Sequence, residues 1–381
     1  MYFLNGSRIY LKPLSGNASL ESQLQSCLTQ LSEINSRKKI YKLNFFVSVN
    51  SHDEHREFQV LLKKEVSEKI NGSVILNFIA QPPLTCKILV EAFYYDPGKW
   101  EAGFQKYTSG EAVLFRRANT KFLIGHVQCG EPATREKQSE EVFSGINEIF
   151  NSNNFETSSI IRQWNYIEDI VGSEGGRQNY QQFNNARSAF YGGAFKLSGY
   201  PAATGIGMDR GGVIVEFIAL DSDEAVTKPV NNPKQVAAHS YSGQVLAGGC
   251  NSLKTTPKFE RARYLELFDK KAVFISGTAS IIGEKTSGIG NPVEQTKITI
   301  QNIQRLYSDE VLSLVSSNKL EPKYGHARVY IKNRKDFNTI RRVFKMHYGD
   351  LPVVYIIADI CRDELLVEIE GEVVFNSMPE L

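Results

Sequence analysis

The chain has 381 residues, enough for two or three domains with a sizeable core, and 44 Lys and Arg set against 42 Asp and Glu leave a formal net charge of +2. So even a balance excludes the basic footprint of a nucleic-acid or membrane surface. Five scattered cysteines (Cys27, Cys86, Cys129, Cys250, Cys361) and six histidines form no metal-ligand pattern, and no apolar run approaches about 18 residues. We therefore expect reduced thiols in a cytoplasmic protein, with no metal, no cofactor, no membrane span and no signal peptide.

Apolar side chains recur at helical spacing at Leu20, Leu24, Cys27, Leu28, Leu31 and Ile34, which predicts an amphipathic helix over 20–34. A strand over 42–49 follows, then a helix over 53–70 with Phe58, Leu62 and Val66 on one side. Strands over 74–79 and 88–95 are joined through Gln81-Pro82-Pro83, and Pro97-Gly98 marks a turn. Next come a strand over 121–127, a helix over 136–150, a strand over 160–167, a loop at 172–176 and a helix over 180–190. Pro201-Ala202-Ala203-Thr204-Gly205-Ile206-Gly207 leads to a strand over 213–220. Residues 221–260 are polar, with prolines at 229, 233 and 257, and read as a long connection. Connections of this length tend to be functional or mobile. A strand over 271–282, a helix over 293–315, a strand over 326–331 and a helix over 336–347 complete the pattern before the closing stretch.

Two blocks match in order. Phe122-Leu123-Ile124-Gly125 pairs with Phe274-Ile275-Ser276-Gly277, Gln138 with Gln295, Phe183-Asn184 with Phe337-Asn338, Pro201 with Pro352, and Val215-Glu216 with Val367-Glu368. The first block carries the later part of the same pattern through Pro83 and Val90-Glu91. An α+β chain of repeated β-α-β-α-β units is expected, each a mixed sheet with helices on one face. The units are a degenerate one over 1–110, a central one over 111–225 and a C-terminal one over 266–381, with 226–265 as the connection.

The closing stretch holds two β-rich runs, Val353 to Ala358 and Leu365 to Val374, around the polar break Asp359-Ile360-Cys361-Arg362-Asp363. Side chains alternate along a strand, so Glu368, Glu370 and Glu372 share a face. Neighbouring carboxylates hinder each other's ionisation, and partial burial raises a pKa further, which would make a general acid. A solvated strand face is the plainer alternative.

Arg162-Gln163-Trp164-Asn165-Tyr166-Ile167, Phe183-Asn184 with Arg187, the 201–207 run, Pro257-Lys258-Phe259-Glu260-Arg261-Ala262, Ser276-Gly277-Thr278-Ala279 and Cys361-Arg362 to Glu370 stand in this order over roughly 110–375. In that order the chain resembles the chorismatases, enzymes with Rid/YjgF-like folds. The resemblance implies that the repeated units form an intramolecular pseudo-trimer, with one monomer imitating three subunits. It implies a small-molecule carboxylate substrate, chorismate or an analogue, whose enolpyruvyl group leaves as pyruvate. Glu368 matches the acid that protonates the enol-ether methylene carbon. Cys361 matches the position that separates products, where cysteine looks like the 3-hydroxybenzoate branch; Ala279 matches a second such position and is closer to the hydrolytic branch.

A dicarboxylate needs fixed cations, and arginine's fork binds carboxylate through two hydrogen bonds. Arg187 and Arg261 stand in matching motifs and are the expected ligands, with Arg162 behind them, and backbone amides from Thr204 and Gly205 to Gly207 are candidates for receiving an anion. Departures from the family fall on the substrate cover: Lys234 for an arginine, no Tyr-Gly-Pro between Tyr241 and Pro257, and Glu284-Lys285 for a His-Glu pair. Two other readings follow: a divergent relative that binds an aromatic or cyclohexadiene carboxylate without turnover, and a Rid-like imine deaminase. The second is weakened because Val353 and Val354 stand where the Rid substrate arginine would be.

Overall fold

One succession of six elements, strand-helix-strand-helix-strand-strand, occurs three times along the chain. This computed structural model describes residues 2–34, 38–130, 133–243, 254–317 and 319–375. The first unit comprises β1 (Arg8–Leu11), α1 (Leu20–Glu33), β2 (Lys39–Val47), α2 (His52–Lys69), β3 (Ile75–Ile79) and β4 (Ile88–Tyr95), in the sheet order β1-β4-β2-β3.

The second opens with a hairpin, β5 (Glu101–Lys106) and β6 (Gly110–Arg117). It continues with β7 (Thr120–Cys129), α3 (Arg135–Asn153), β8 (Ile160–Glu168), the small ladder β9 (Ser173–Glu174) and β10 (Arg177–Gln178), α4 (Asn179–Tyr191), β11 (Ala202–Met208) and β12 (Val213–Asp221). Its main sheet runs β11-β8-β12-β7-β6-β5.

The third begins with β13 (Val226–Val230), β14 (Ala262–Leu267) and β15 (Lys270–Ala279). The ladder β16 (Ile281–Ile282) and β17 (Lys285–Thr286) follows, then α5 (Pro292–Leu306), α6 (Asp309–Leu312), β18 (Pro322–Ile331), α7 (Phe337–Tyr348), β19 (Val353–Ile357) and β20 (Val367–Phe375). The order is β13-β14-β15-β20-β18-β19. In each unit the second and third core strands pair in parallel and the last is antiparallel to the second.

Local chemistry sets the helix ends. Ser51 accepts from the Glu54 N–H, while the Glu54 carboxylate accepts from the Asn50 N–H, so orphan amides at the start of α2 are satisfied in both directions. Asn291 caps α5 and Pro292 fills its first turn, where a missing N–H costs nothing. Asn154 closes α3 in the left-handed conformation, φ 55°.

Each sheet buries one face under its own helices. Leu28, Phe58 and Val90 belong to the first such core, Ile146, Phe183 and Val215 to the second, and Ile303, Phe344 and Ile369 to the third. The opposite faces meet in a shared centre that gathers Phe46 and Phe93, Phe122 and Tyr166, and Phe274 and Tyr330.

The architecture is the expected α+β repeat, with four differences. The first unit is not degenerate: β1 supplies its missing strand, four residues too short to show period-two patterning. The second sheet starts at Glu101, so the expected boundary at 110/111 falls inside β6. The predicted helix over 293–315 breaks at Tyr307, where Ser308-Asp309 favour a fresh helix start. The connection is partly sheet: β13 pairs with β14 as an edge strand, the place in a sheet where Pro229 is tolerated. Residues 244–253 of the connection, Cys250 among them, lie outside the described residues. Among the described residues no helix is long and apolar enough to cross a membrane.

Candidate active site

Alternation along β20 turns Val367, Ile369 and Val373 toward α5 and α7, and Glu368, Glu370 and Glu372 away from them toward the shared centre. All three carboxylates are buried, so the solvated strand face is not what forms.

Glu370 sits in a full set of donors. Arg162 Nη2 donates to its Oε2 at 2.6 Å, and Trp164 Nε1, Arg328 Nη1 and Tyr330 Oη reach its Oε1 at 2.9, 3.0 and 3.1 Å. The Thr204 hydroxyl donates to Oε2 as well. Burial pushes this carboxyl up, but Arg162 and Arg328, with the hydrogen bonds from Thr204 and Trp164, outweigh it and hold it below the usual carboxylate range. Arg328 continues the network to Glu91; Asn44 bridges Glu91 and Glu216, and Lys42 pairs with Glu216.

The register explains this convergence. Glu91 lies opposite Asn44, Glu216 opposite Trp164 and Glu370 opposite Arg328, each two residues before the Phe46, Tyr166 or Tyr330 position of the partner strand. One carboxylate from each unit thus meets at the centre. The structural counterpart of Glu216 is Glu370, two residues beyond the match made from sequence. Glu368 lies opposite Tyr330, where the other units place Leu89 and Ile214. The acid is an addition to the third unit alone.

Glu368 points into a cleft of about 450 Å3 between the second and third units. β11 and α4 supply one wall, with Gly205 and Tyr180; β15, β20 and the 361–365 turn supply the other, with Gly277, Ala279 and Cys361. Glu368 is 4% exposed. Burial raises its pKa to about 8, the neighbouring Glu370 adds to this, and Arg162 and Arg261 pull against it. At neutral pH most of this carboxyl is protonated. Burial and Glu368 also push the Cys361 thiol up to about 12, which keeps it neutral where it lines the cleft.

Gly277 makes room for the acid: a Cβ there would lie 2.1 Å from Glu368 Oε1. Its N–H donates to Thr204 Oγ1 at 3.0 Å, and that hydroxyl accepts from Arg162 while donating to Glu370. One donor and two acceptor sites complete a hydroxyl's capacity. Thr204 therefore ties the backbone under Glu368 to the charge network behind it.

The residues expected from sequence are distributed as follows. Glu368, Cys361, Ala279, Gly205 and Arg261 line the cleft. Arg261 donates to Val236 O at 2.8 Å and to Tyr241 Oη at 2.6 Å, and so fastens the start of the connection over the opening. Arg162 and Thr204 lie one layer behind, bound to Glu370. Arg187 is also set back, donating to Asn184 Oδ1 at 2.6 Å, and it is Asn184 that lines the cleft. Of the amides expected to receive an anion, that of Gly207 donates to Asp359 O at 2.8 Å, while Gly205 lines the cleft.

Sequence reasoning did not single out Tyr180, Tyr241, Gly277 or Arg362. Arg362 lines the cleft, stacks 5.4 Å from the Tyr241 ring and donates to Glu284 O. Its position beside Cys361 was the available signal. Tyr180 had only a helical position to mark it.

The architecture and cleft together define a chain of three similar units, each a mixed sheet with helices on one face, with a buried carboxyl group at one junction. Residues 99–219 match the family described as "Chorismatase FkbO/Hyg5-like, N-terminal". The chain is 32% identical to a 3-hydroxybenzoate synthase of Streptomyces hygroscopicus over 228 residues, 58% of this chain and 64% of that protein, just under two thirds of its length. It is 29% identical over 285 residues to a chorismatase of Streptomyces rapamycinicus, covering 72% of this chain and 81% of that one. A crystal structure of a chorismatase superposes with a TM-score of 0.70 at 22% identity, covering 96% of this chain and 98% of that one, and so shares the fold. The resemblance to the chorismatases read from the residues stands.

Proposed function

We propose that this chain removes the enolpyruvyl group of chorismate, or of a close analogue, as pyruvate and leaves a 3-hydroxybenzoate-type product, with Glu368 as the general acid. The observation that carries the proposal is a buried carboxyl facing a cavity, its pKa pushed up by burial, while its neighbour two residues along the strand is met by five donors. An enol-ether carbon is a poor base, so its proton must come from an acid that is neutral and close. Glu368 delivers its proton to the methylene carbon, and the double-bond electrons form that C–H bond. The resulting oxocarbenium centre takes up a hydroxyl or water, whose proton returns to Glu368, and collapse releases pyruvate with the delivered proton in its methyl group. With the substrate's own ring hydroxyl as the attacking group, chorismic acid equals hydroxybenzoic acid plus pyruvic acid atom for atom and no co-reactant enters; attack by water would consume that water and give a dihydroxy-cyclohexadiene carboxylate instead.

Arg261 and Arg362 supply the cations at the cleft wall for a carboxylate substrate, and Asn184 and Tyr180 supply neutral polar groups. The three units of one chain stand in for three subunits, so the working form is a monomer. Incubation with chorismate, followed by assay of pyruvate and of aromatic products, tests the reading: both appear with the wild type and neither with Glu368→Gln. Pyruvate release that survives the substitution excludes Glu368 as the acid. A second reading, binding without turnover, draws on the altered cover, where Ser242 is bonded to Glu284 beside the cleft. Saturable binding of chorismate with no pyruvate from the wild type selects it.

A further inference from the structure

The first and second units also enclose a cleft, built from the same kinds of elements as the Glu368 cleft. There α2 and β3 face β7 and the turn at Gly211-Gly212 around about 350 Å3. That volume is at the lower end for small-ligand sites. Its floor holds two histidines, His55 at 5% and His126 at 7% exposure. His55 Nε2 and His126 Nδ1 are shut off from bulk water and have no hydrogen-bond partner among the described residues. Buried polar nitrogens are rarely left so, and each such case calls for an explanation. Burial pushes both imidazoles below their ordinary pKa, so at neutral pH each ring is uncharged and carries one N–H.

The surrounding groups favour a negative ligand. Lys63 stands exposed at the rim, and Gln59 and Gln128 add amide groups alongside. The carboxylate in the lining, Glu111, already accepts from the Leu76 N–H at 2.9 Å. The third inter-unit cleft, about 260 Å3, is lined by Lys12, Arg341 and Lys345, the last paired with Asp350, and has no histidine in its lining.

We infer that the cleft between the first and second units binds a small organic carboxylate, with His126 and His55 facing its oxygens and Lys63 adding charge at the rim. The probe is pyruvate, added to full-length protein labelled with 15N-histidine. The expected result is a saturable shift of the His55 and His126 ring resonances at millimolar pyruvate. His126→Gln is expected to weaken binding about tenfold, read from His55, because a hydrogen bond to a charged group is lost. Lys63→Ala, at an exposed position that the fold does not depend on, is expected to weaken it about threefold and to flatten its salt dependence.

Three outcomes overturn the inference. One is the absence of a saturable shift. Another is an affinity for pyruvate unchanged in both variants. The third is inorganic phosphate moving the same resonances at lower concentration than pyruvate, which assigns the cleft to a phosphate instead. No step uses chorismate, so the inference stands or falls apart from the proposed reaction.

Discussion

Glu368 and Glu370 are two residues apart on one strand, on one face, and equally removed from water, yet burial leaves the first protonated and the second ionised. The difference lies in their partners. Glu370 is met by two guanidiniums, an indole, a phenol and a hydroxyl. Glu368 is met by a cavity and by the negative charge of Glu370 itself. Desolvation alone thus does not make an acid; desolvation without donors does, and a satisfied anion nearby strengthens it. The centre of the molecule and its cleft are therefore one electrostatic device, in which the fixed charge of the first maintains the proton of the second.

The largest expected effect comes from removing that proton. Glu368→Gln keeps shape and burial but cannot act as an acid, and pyruvate release should fall by about 10²–10⁴-fold. The far-UV circular dichroism of the variant should match the wild type, which separates lost chemistry from lost fold.

Glu370→Ala attacks the other member of the pair. It strands Arg162 without its anion in the core, while Arg328 keeps Glu91, and breaking a buried pair in this way costs about 3–5 kcal/mol. Denaturant unfolding measures the loss. An equal loss from Glu368→Ala would contradict the contrast, because Glu368 has no ionic partner among the described residues to abandon.

Gly277→Ala sharpens the comparison by moving the acid without touching its chemistry. The added methyl would occupy the space of Glu368 Oε1 and displace the carboxyl from the cleft. Misplacement by about 1 Å can cost on the order of 10²-fold in rate. The measurement is pyruvate release beside thermal unfolding: kcat should fall while the melting temperature shifts by only a few degrees.

Much of this was legible in the sequence because it was periodic. The helices, the long strands and the carboxylate face of β20 announce themselves through spacing of three to four or of two. What escaped was set by contacts between distant segments. β1 shows no pattern of its own and exists because β4 offers it an edge. The equivalence of Glu216 with Glu370 depends on strand register, which a match of short motifs cannot fix to within two residues. The surroundings of Arg162 and Arg187 were hidden in the same way. An arginine in a motif does not say whether its fork meets a ligand or, as here, Glu370 or Asn184.

The smallest effect is a slope, and its sign follows from the same contrast. A carboxyl whose folded pKa lies at about 8, above its ordinary 4.5, binds a proton in the native state that the unfolded chain has released. Its contribution to stability is complete below about pH 4.5 and is lost as the pH rises through about 8, at about 1.4 kcal/mol per unit. Glu370 acts with the opposite sign: its folded pKa is depressed, so its contribution is present above the unfolded value and is lost as the pH falls through the folded one. Between pH 5 and 8 Glu370 stays ionised in both states, and Glu368 is the member of the pair that titrates. Denaturant midpoints across this range should therefore fall less steeply with pH in Glu368→Gln than in the wild type. Identical slopes in the two proteins would mean that Glu368 is ionised at neutral pH, and the cleft would then hold an anion where the proposed reaction needs an acid.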